Sequence, residues 1–266
     1  MIETRGPHPG PDVYRQTCMA ESAIDPQTRI AQPLPEAEEL YRRWIGFLDE
    51  EFSKHQAAER RAEIVRDQLF QLYLGRPHGG KLNFTLTSEL PLNVLQLSLD
   101  PGNITLEAEH YPDVDRERFA RSKPLLWFWI MFDRSPIGLN HWLGCRFRSM
   151  LGKHLFAHMG KRVRIDHGVE LAYGYNLSIE DGVIVRQRAL LDDRAEIKLG
   201  QGCVIGNYAR IYSHTHQKDD YDKVIFAPTS IGARARVGAH TVVLAGTQMA
   251  DGTIVGPQGT AAGEES

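Results

Sequence analysis

Cysteine is scarce. The 266 residues hold three, Cys18, Cys145 and Cys203, far apart and odd in number. That excludes a disulfide-built scaffold, offers no close cysteine pair for a zinc motif and suits a reducing compartment. Long apolar runs are missing as well. The longest, PLLWFWIMF from Pro124 to Phe132, stops at Asp133, well short of the about 20 apolar residues a spanning helix needs. The first residues, MIETRGPHPGPDVYRQ, show neither an apolar stretch nor a basic cluster, so no targeting peptide is expected and the chain is placed in the cytoplasm. An excess of either charge is absent too: 31 Lys and Arg stand against 34 Asp and Glu, a formal net charge of -3. That argues against a general polyanion binder, and no nucleic acid is expected as a partner.

Most prominent in what is there is a period. From Val163 to Gly256 aliphatic residues return every sixth position, often followed by glycine: Leu199-Gly200, Ile205-Gly206, Ile211, then Ile231-Gly232, Val237-Gly238, Val243, Met249 and Val255-Gly256. A helix needs apolar spacing of three to four and a half-buried strand spacing of two. A period of six instead fits flat-sided coils, each face adding one short strand and one inward aliphatic side chain. Cys203 lies beside this register and is expected to line the coil. The fold class is mainly β: a parallel β-helix over 161–258, preceded by an α-helical and hairpin-containing N-terminal region at 36–160, with a poorly ordered leader at 1–35 and a tail at 259–266.

Within 36–160, Leu40, Trp44, Phe47, Leu48 and Phe52 trace one amphipathic helix, and Ala58, Ala62, Val65, Leu69 and Leu72 trace another that stops near Gly75. Val94 to Leu99 and Ile104 to Glu109 alternate around Asp100-Pro101-Gly102-Asn103, which predicts a hairpin. Asp113 to Ala120 reads as a charged helical connector, and the Trp127/Trp129 run as a buried helix or an interfacial patch. Leu139, Trp142, Leu143, Phe147, Met150, Leu151 and Leu155 form a last stripe that runs to Gly160, with Arg146, Arg148 and Lys153 among them. A basic amphipathic helix can lie on a membrane surface, but its favoured role here is to cap the open end of the coil.

The text YGYNLSIEDGVIV (173–185), LDD (191–193), IKLGQGCVIGNYARIYSHTHQ (197–217) and PTSIGARARVGAHTVVLAGT (228–247) resembles the hexapeptide-repeat acyltransferases, in particular the galactoside and maltose O-acetyltransferases. The resemblance covers roughly the last 105 residues. It implies a left-handed parallel β-helix, an acyl-coenzyme A co-substrate (acetyl-CoA above all), no metal, and a homotrimer with its sites between subunits.

The repeat breaks once, at SHTHQKDDYDKVIFA. An extruded loop interrupts coil stacking, so it is expected to be functional. By the resemblance its catalytic histidine is His216, a general base that takes the proton of an acceptor hydroxyl as it attacks the thioester; imidazole titrates near neutral pH and suits the task. His214 falls on the same side of an extended segment and is a candidate substrate contact, orienting partner or alternate base. Asp193 matches an aspartate lining the acceptor site, or else is a corner residue of the coil. Tyr175 and Asn176 read as structural. Gly238, Ala239, Gly256 and Pro257 would hold the cofactor in a groove between coils, where small residues permit close approach.

Several positions depart from that family's pattern. Arg186 replaces an asparagine that contacts the acceptor and, with Arg188 nearby, hints at an anionic acceptor, or else lies on a solvated strand face. Arg236-Val237-Gly238 replaces Trp-Ile-Gly, and Pro257 offers no N–H. The sequence stops at Ser266, ahead of the last strands the resemblance implies, so weaker cofactor binding is expected. Two other functions remain open: a non-catalytic trimeric scaffold, and a metal enzyme like the gamma-class carbonic anhydrases with His214, His216 and His240 of facing subunits as ligands.

Overall fold

A computed structural model describes residues 31–79 and 90–263. Cys18 and most of the leader lie outside the described residues.

Five α-helices are described ahead of the coil: α1 (Pro35–Lys54), α2 (Ala58–Leu74), α3 (Leu90–Ser98), α4 (Arg116–Arg134) and α5 (His141–Leu155). Local chemistry sets their ends. Asp115 accepts from the N–H groups of Glu117 and Arg118 to start α4, and Asn140 accepts from that of Leu143 to start α5. Gly75 stops α2 at φ 65°, a left-handed cap that only glycine adopts freely. Leu48 and Phe52 face the core from α1, whereas Leu40 and Phe47 of the same stripe are exposed.

The expected hairpin over 94–109 does not form. Its first half is helix α3, where Asn93 and Gln96 are buried, with Leu99 buried just past its end, and Val94 and Leu95 are exposed. The turn residues instead make a short 3-10 helix, Pro101–Asn103, capped by Asp100, and a second one spans Glu107–His110. Tertiary contacts override the local alternation: Trp127 of α4 donates to the Ser98 carbonyl at 3.1 Å. The Trp127/Trp129 run and most of the charged connector before it form one helix, α4, exposed at its charged start and largely buried along its apolar half, and α5 ends at Leu155 rather than at Gly160.

Beyond α5 the chain winds into a left-handed parallel β-solenoid of about five turns. Three five-stranded sheets form its faces. Ser178 pairs with His158 below and Lys198 above, and Ser230 and Gln248 continue the column. The early coils thus take 20 residues, two more than three hexads, and only the last, Ser230 to Gln248, takes 18. The extra pair falls at one corner, at Tyr173–Asn176 and again around Asp193. Inside, Ile165, Leu171, Ile179, Val185, Leu191, Leu199, Ile205 and Ile211 stack coil over coil, with Cys203 fully buried among them.

The helices close the coil's first end. An uncovered coil would leave carbonyls unpaired. Here Ser149 donates to Val163 at 2.8 Å, Arg148 to Ile165 at 3.2 Å and Trp129 Nε1 to Val169 at 2.9 Å. Arg148, expected on the basic face of α5, is instead 1% exposed and bound to Asp133 at 2.5 Å. Asp133 in turn accepts from the Gly168 N–H at 2.8 Å. Buried charge needs such pairing. The cap follows from it.

Candidate functional site

The break in the repeat is a two-stranded hairpin rather than an irregular loop. His214–Gln217 pairs antiparallel with Asp220–Phe226, His214 opposite Phe226 and His216 opposite Val224, with a bulge after His216. Its neck is fastened by hydroxyls that donate and accept at once. Ser213 Oγ, fully buried, accepts from the Ala195 N–H at 2.8 Å and donates to the Asp192 carbonyl at 2.7 Å. Thr229 Oγ1 donates to the Tyr212 carbonyl at 2.7 Å.

His216 projects from the hairpin, exposed, with Nδ1 2.6 Å from the carbonyl oxygen of Tyr221. A carbonyl only accepts, so Nδ1 carries the hydrogen and the neutral ring keeps its lone pair on Nε2. The Tyr221 ring stacks on the imidazole, centroids 5.2 Å apart and 10° from parallel. These contacts fix both tautomer and orientation.

His214 meets His216 edge to face, centroids 5.7 Å apart. Its Nδ1 is buried without a hydrogen bond among the described residues, and lies 3.4 Å from Asp192 Oδ2. Asp192 is the residue that sequence reasoning passed over in favour of its neighbour. It pairs in register with Tyr212, two residues before His214, so the doublet LDD combined with coil stacking was the available signal.

Asp193 lies elsewhere. It is 0% exposed and accepts from the N–H groups of Ala172, Tyr173 and Asn176 at 3.1, 2.9 and 3.1 Å. Burial pushes its carboxyl up, against the pull of those donors. It holds the corner of the coil together. Asn176 returns bonds to the carbonyls of Asp193 and Arg194, and Tyr175 is buried. The Arg186 charge bears on His141.

A further contribution comes from the N-terminal region. Arg194 pairs with Asp113, and its guanidinium lies 4.2 Å from the Tyr111 ring and 5.8 Å from that of Phe226 in the hairpin. The segment before α4 therefore flanks the corner beside His214. Nothing in its sequence marks it, because the pairing joins residues 81 positions apart.

Of the four residues expected at the cofactor, Gly238 serves stacking: a Cβ there would sit 2.5 Å from the Gly256 carbonyl carbon. At Gly256 an added Cβ meets nothing within 4 Å, so the edge of the last coil is open. The Ala239 N–H donates to nothing among the described residues. His240 stacks on Tyr208, centroids 4.8 Å apart and 4° from parallel, at a corner away from the hairpin, so one chain does not gather His214, His216 and His240 into a metal site.

No family model matches the chain. A Dictyostelium discoideum protein whose name marks it as a candidate acetyltransferase is 25% identical over 103 residues, 37% of this chain and 54% of that one. The repeat half resembles hexapeptide-repeat acetyltransferases. The chain spans about half the length of that curated relative. Among solved structures, a maltose O-acetyltransferase from Clostridium difficile 630 aligns over 55% of this chain and 75% of its own, at 16% identity and TM-score 0.46. A galactoside acetyltransferase solved with coenzyme A aligns over 56% and 80%, at 21% and TM-score 0.46. A hexapeptide-repeat acetyltransferase from Vibrio cholerae aligns over 60% and 89%, at 19% and TM-score 0.43. No described helix is long and apolar enough to cross a membrane.

Proposed function

We propose that this chain is a cytoplasmic acyl-coenzyme A-dependent O-acyltransferase that moves an acetyl group to a hydroxyl of a sugar or another small acceptor. The observation that carries the reading is the His216 to Tyr221 bond, which leaves Nε2 of an exposed imidazole as a proton acceptor where the repeat breaks. Acetyl-coenzyme A, when bound, supplies the activated acyl group as a thioester. His216 takes the proton of the acceptor hydroxyl onto Nε2 as its oxygen attacks, and then holds that proton for the departing thiol. His214, with Asp192 3.4 Å from its Nδ1, packs edge to face with the His216 ring and orients it. The wall made by Tyr111, Arg194 and Phe226 flanks the same corner and would shape acceptor choice.

The fit to coenzyme A rests on the unpaired Ala239 N–H, a ready donor to an amide carbonyl, and on the open space over Gly256. Gly238 and Pro257 line the same edge without supplying such a donor: one packs against the next coil and the other has no N–H. The functional unit we envisage is a homotrimer in which a neighbouring chain holds the cofactor against His216. Ile225 and Phe226 of the hairpin, both 44% exposed, offer it apolar surface.

The test is thiol release from acetyl-coenzyme A with a panel of hydroxyl acceptors, for wild type and His216→Ala. Turnover that survives the substitution removes His216 as the base. The Pro257 position favours a second reading, a trimeric scaffold without catalysis. Acetyl-coenzyme A added during thermal melting separates the two, because a ligand bound to the native state must raise Tm.

A further inference from the structure

The first turn of α5 meets the first coil at a cluster with no part in the chemistry above. His141 and Cys145, four residues apart on α5, share one face of the helix. Opposite them stands Asp166 of the first coil, two coils below the one that emits the hairpin. Cys145 Sγ lies 3.6 Å from Asp166 Oδ1 and 3.9 Å from His141 Nδ1, and His141 Nε2 lies 4.0 Å from Asp166 Oδ1. One ligand atom from each of the three residues comes within 4.8 Å of the others.

Those separations carry a chemical meaning. Tetrahedral zinc holds S, N and O ligands at about 2.0–2.3 Å, which sets neighbouring ligand atoms about 3.3–3.8 Å apart. Only one His141 nitrogen can serve, and with one atom per residue the separations reach up to 4.8 Å, so the cluster needs to contract by roughly an ångström at its widest. Thiolate with imidazole selects zinc over magnesium or calcium. Thiolate and carboxylate together balance a divalent charge.

Two of the surrounding arginines are already engaged, and a third, Arg186, bears on His141 through its charge. Arg164 donates to Oδ1 of Asp166 at 2.8 Å and to Oδ2 at 3.2 Å, while Arg148 is bound to Asp133. A carboxylate has about four lone-pair sites, so Asp166 can keep Arg164 and still bind an ion, its orientation held as outer-shell donors hold metal ligands. Cys145 and Asp166 are buried, at 0% and 2% exposure, but the His141 side chain is 38% exposed. That side gives an entry path and room for a water.

We propose that His141, Cys145 and Asp166 bind one zinc ion, with water as fourth ligand, and that the ion clamps the capping helices onto the first coil. This site is separate from the hairpin, and its test does not use acyl transfer. Full-length protein is stripped with a chelator and titrated with Co²⁺, then Zn²⁺. One equivalent of Co²⁺ should give a thiolate-to-cobalt charge-transfer band in the near ultraviolet, zinc should displace it, and Tm should rise until one zinc is bound. Cys145→Ser should abolish the band. His141→Gln, at a half-exposed position, should weaken cobalt binding by more than the about 10- to 100-fold that loss of an outer-shell partner costs. The proposal falls if wild type shows no thiolate band at micromolar cobalt, if the band persists in Cys145→Ser, or if His141→Gln binds cobalt as wild type does.

Discussion

His216 donates its Nδ1–H to the main-chain oxygen of Tyr221 at 2.6 Å, across the bulge of a hairpin that both residues belong to. One segment thus carries the base and the group that orients it. The bond uses main chain, so it depends on the hairpin's shape more than on which side chain stands at position 221.

His216→Ala or His216→Asn should lower kcat by about 100- to 10,000-fold, the span general-base catalysis contributes. The side chain is exposed, so the melting temperature should stay where it is. Tyr221→Ala keeps the carbonyl and loses only the stacked ring, and should cost far less. Steady-state thiol release beside thermal melting reads all three.

Asp193→Ala should damage the fold rather than the chemistry. It strands the N–H groups of Ala172, Tyr173 and Asn176 in a buried corner. At about 1–3 kcal/mol for each unsatisfied buried group, the loss should reach about 3 kcal/mol or more. Urea unfolding measures it. A variant of wild-type stability with a raised acceptor KM would instead restore Asp193 to the acceptor site.

Gly238→Ala and Gly256→Ala should part company. The first drives a Cβ to 2.5 Å from the backbone of the last coil and should unseat it; the second adds a methyl group to open space. Gly256→Ala should therefore melt like wild type and raise KM for acetyl-coenzyme A if the cofactor passes over that edge. Melting curves and cofactor titrations check the pair.

Stability should fall with acid below about pH 6.5. His154 of α5, its side chain 9% exposed, contacts Asp49 of α1 at 2.8 Å. Burial lowers its pKa; the Asp49 hydrogen bond and charge oppose that, while Arg61 and Lys153 reinforce it. The folded state thus binds fewer protons than the unfolded one, so the contribution is present above the unfolded pKa and is lost as pH falls through the folded one. Asp49 follows the same sign lower down: burial raises its pKa, but His154 and Lys153 lower it to a net depression. Tm measured from pH 8 to pH 4.5 should show the decline starting near the histidine range, and His154→Gln should flatten that first part.

Legibility varied along the chain for physical reasons. Inward aliphatics at spacing six are a local signal, so the coil could be read directly, Cys203 included. The 20-residue early coils hid part of that register, because two extra residues at one corner shift it each time. Val94 to Leu99 misled because a short apolar run alternates equally well on a strand or a helix, and Trp127, far along the chain, decided the matter. Asp192 and Asp193 are adjacent in sequence, yet one faces His214 and the other turns into the corner. Only the bend between them separates their roles.

By itself, then, the sequence determined the coil, the place where it breaks, the helical nature of much of what precedes it, and His216 as the residue to watch. The first three are encoded in spacings of a few residues, and the last rests on the family resemblance. Tertiary structure decided which nitrogen of His216 is basic, that Asp192 backs His214, that Arg148 is a buried link rather than a surface charge, and that Tyr111 and Asp113 reach the hairpin's corner. Each depends on groups that only winding and capping bring together. Stacking coils places residues about 20 positions apart in contact, and closing the coil's end joins helices to strands that no local pattern relates.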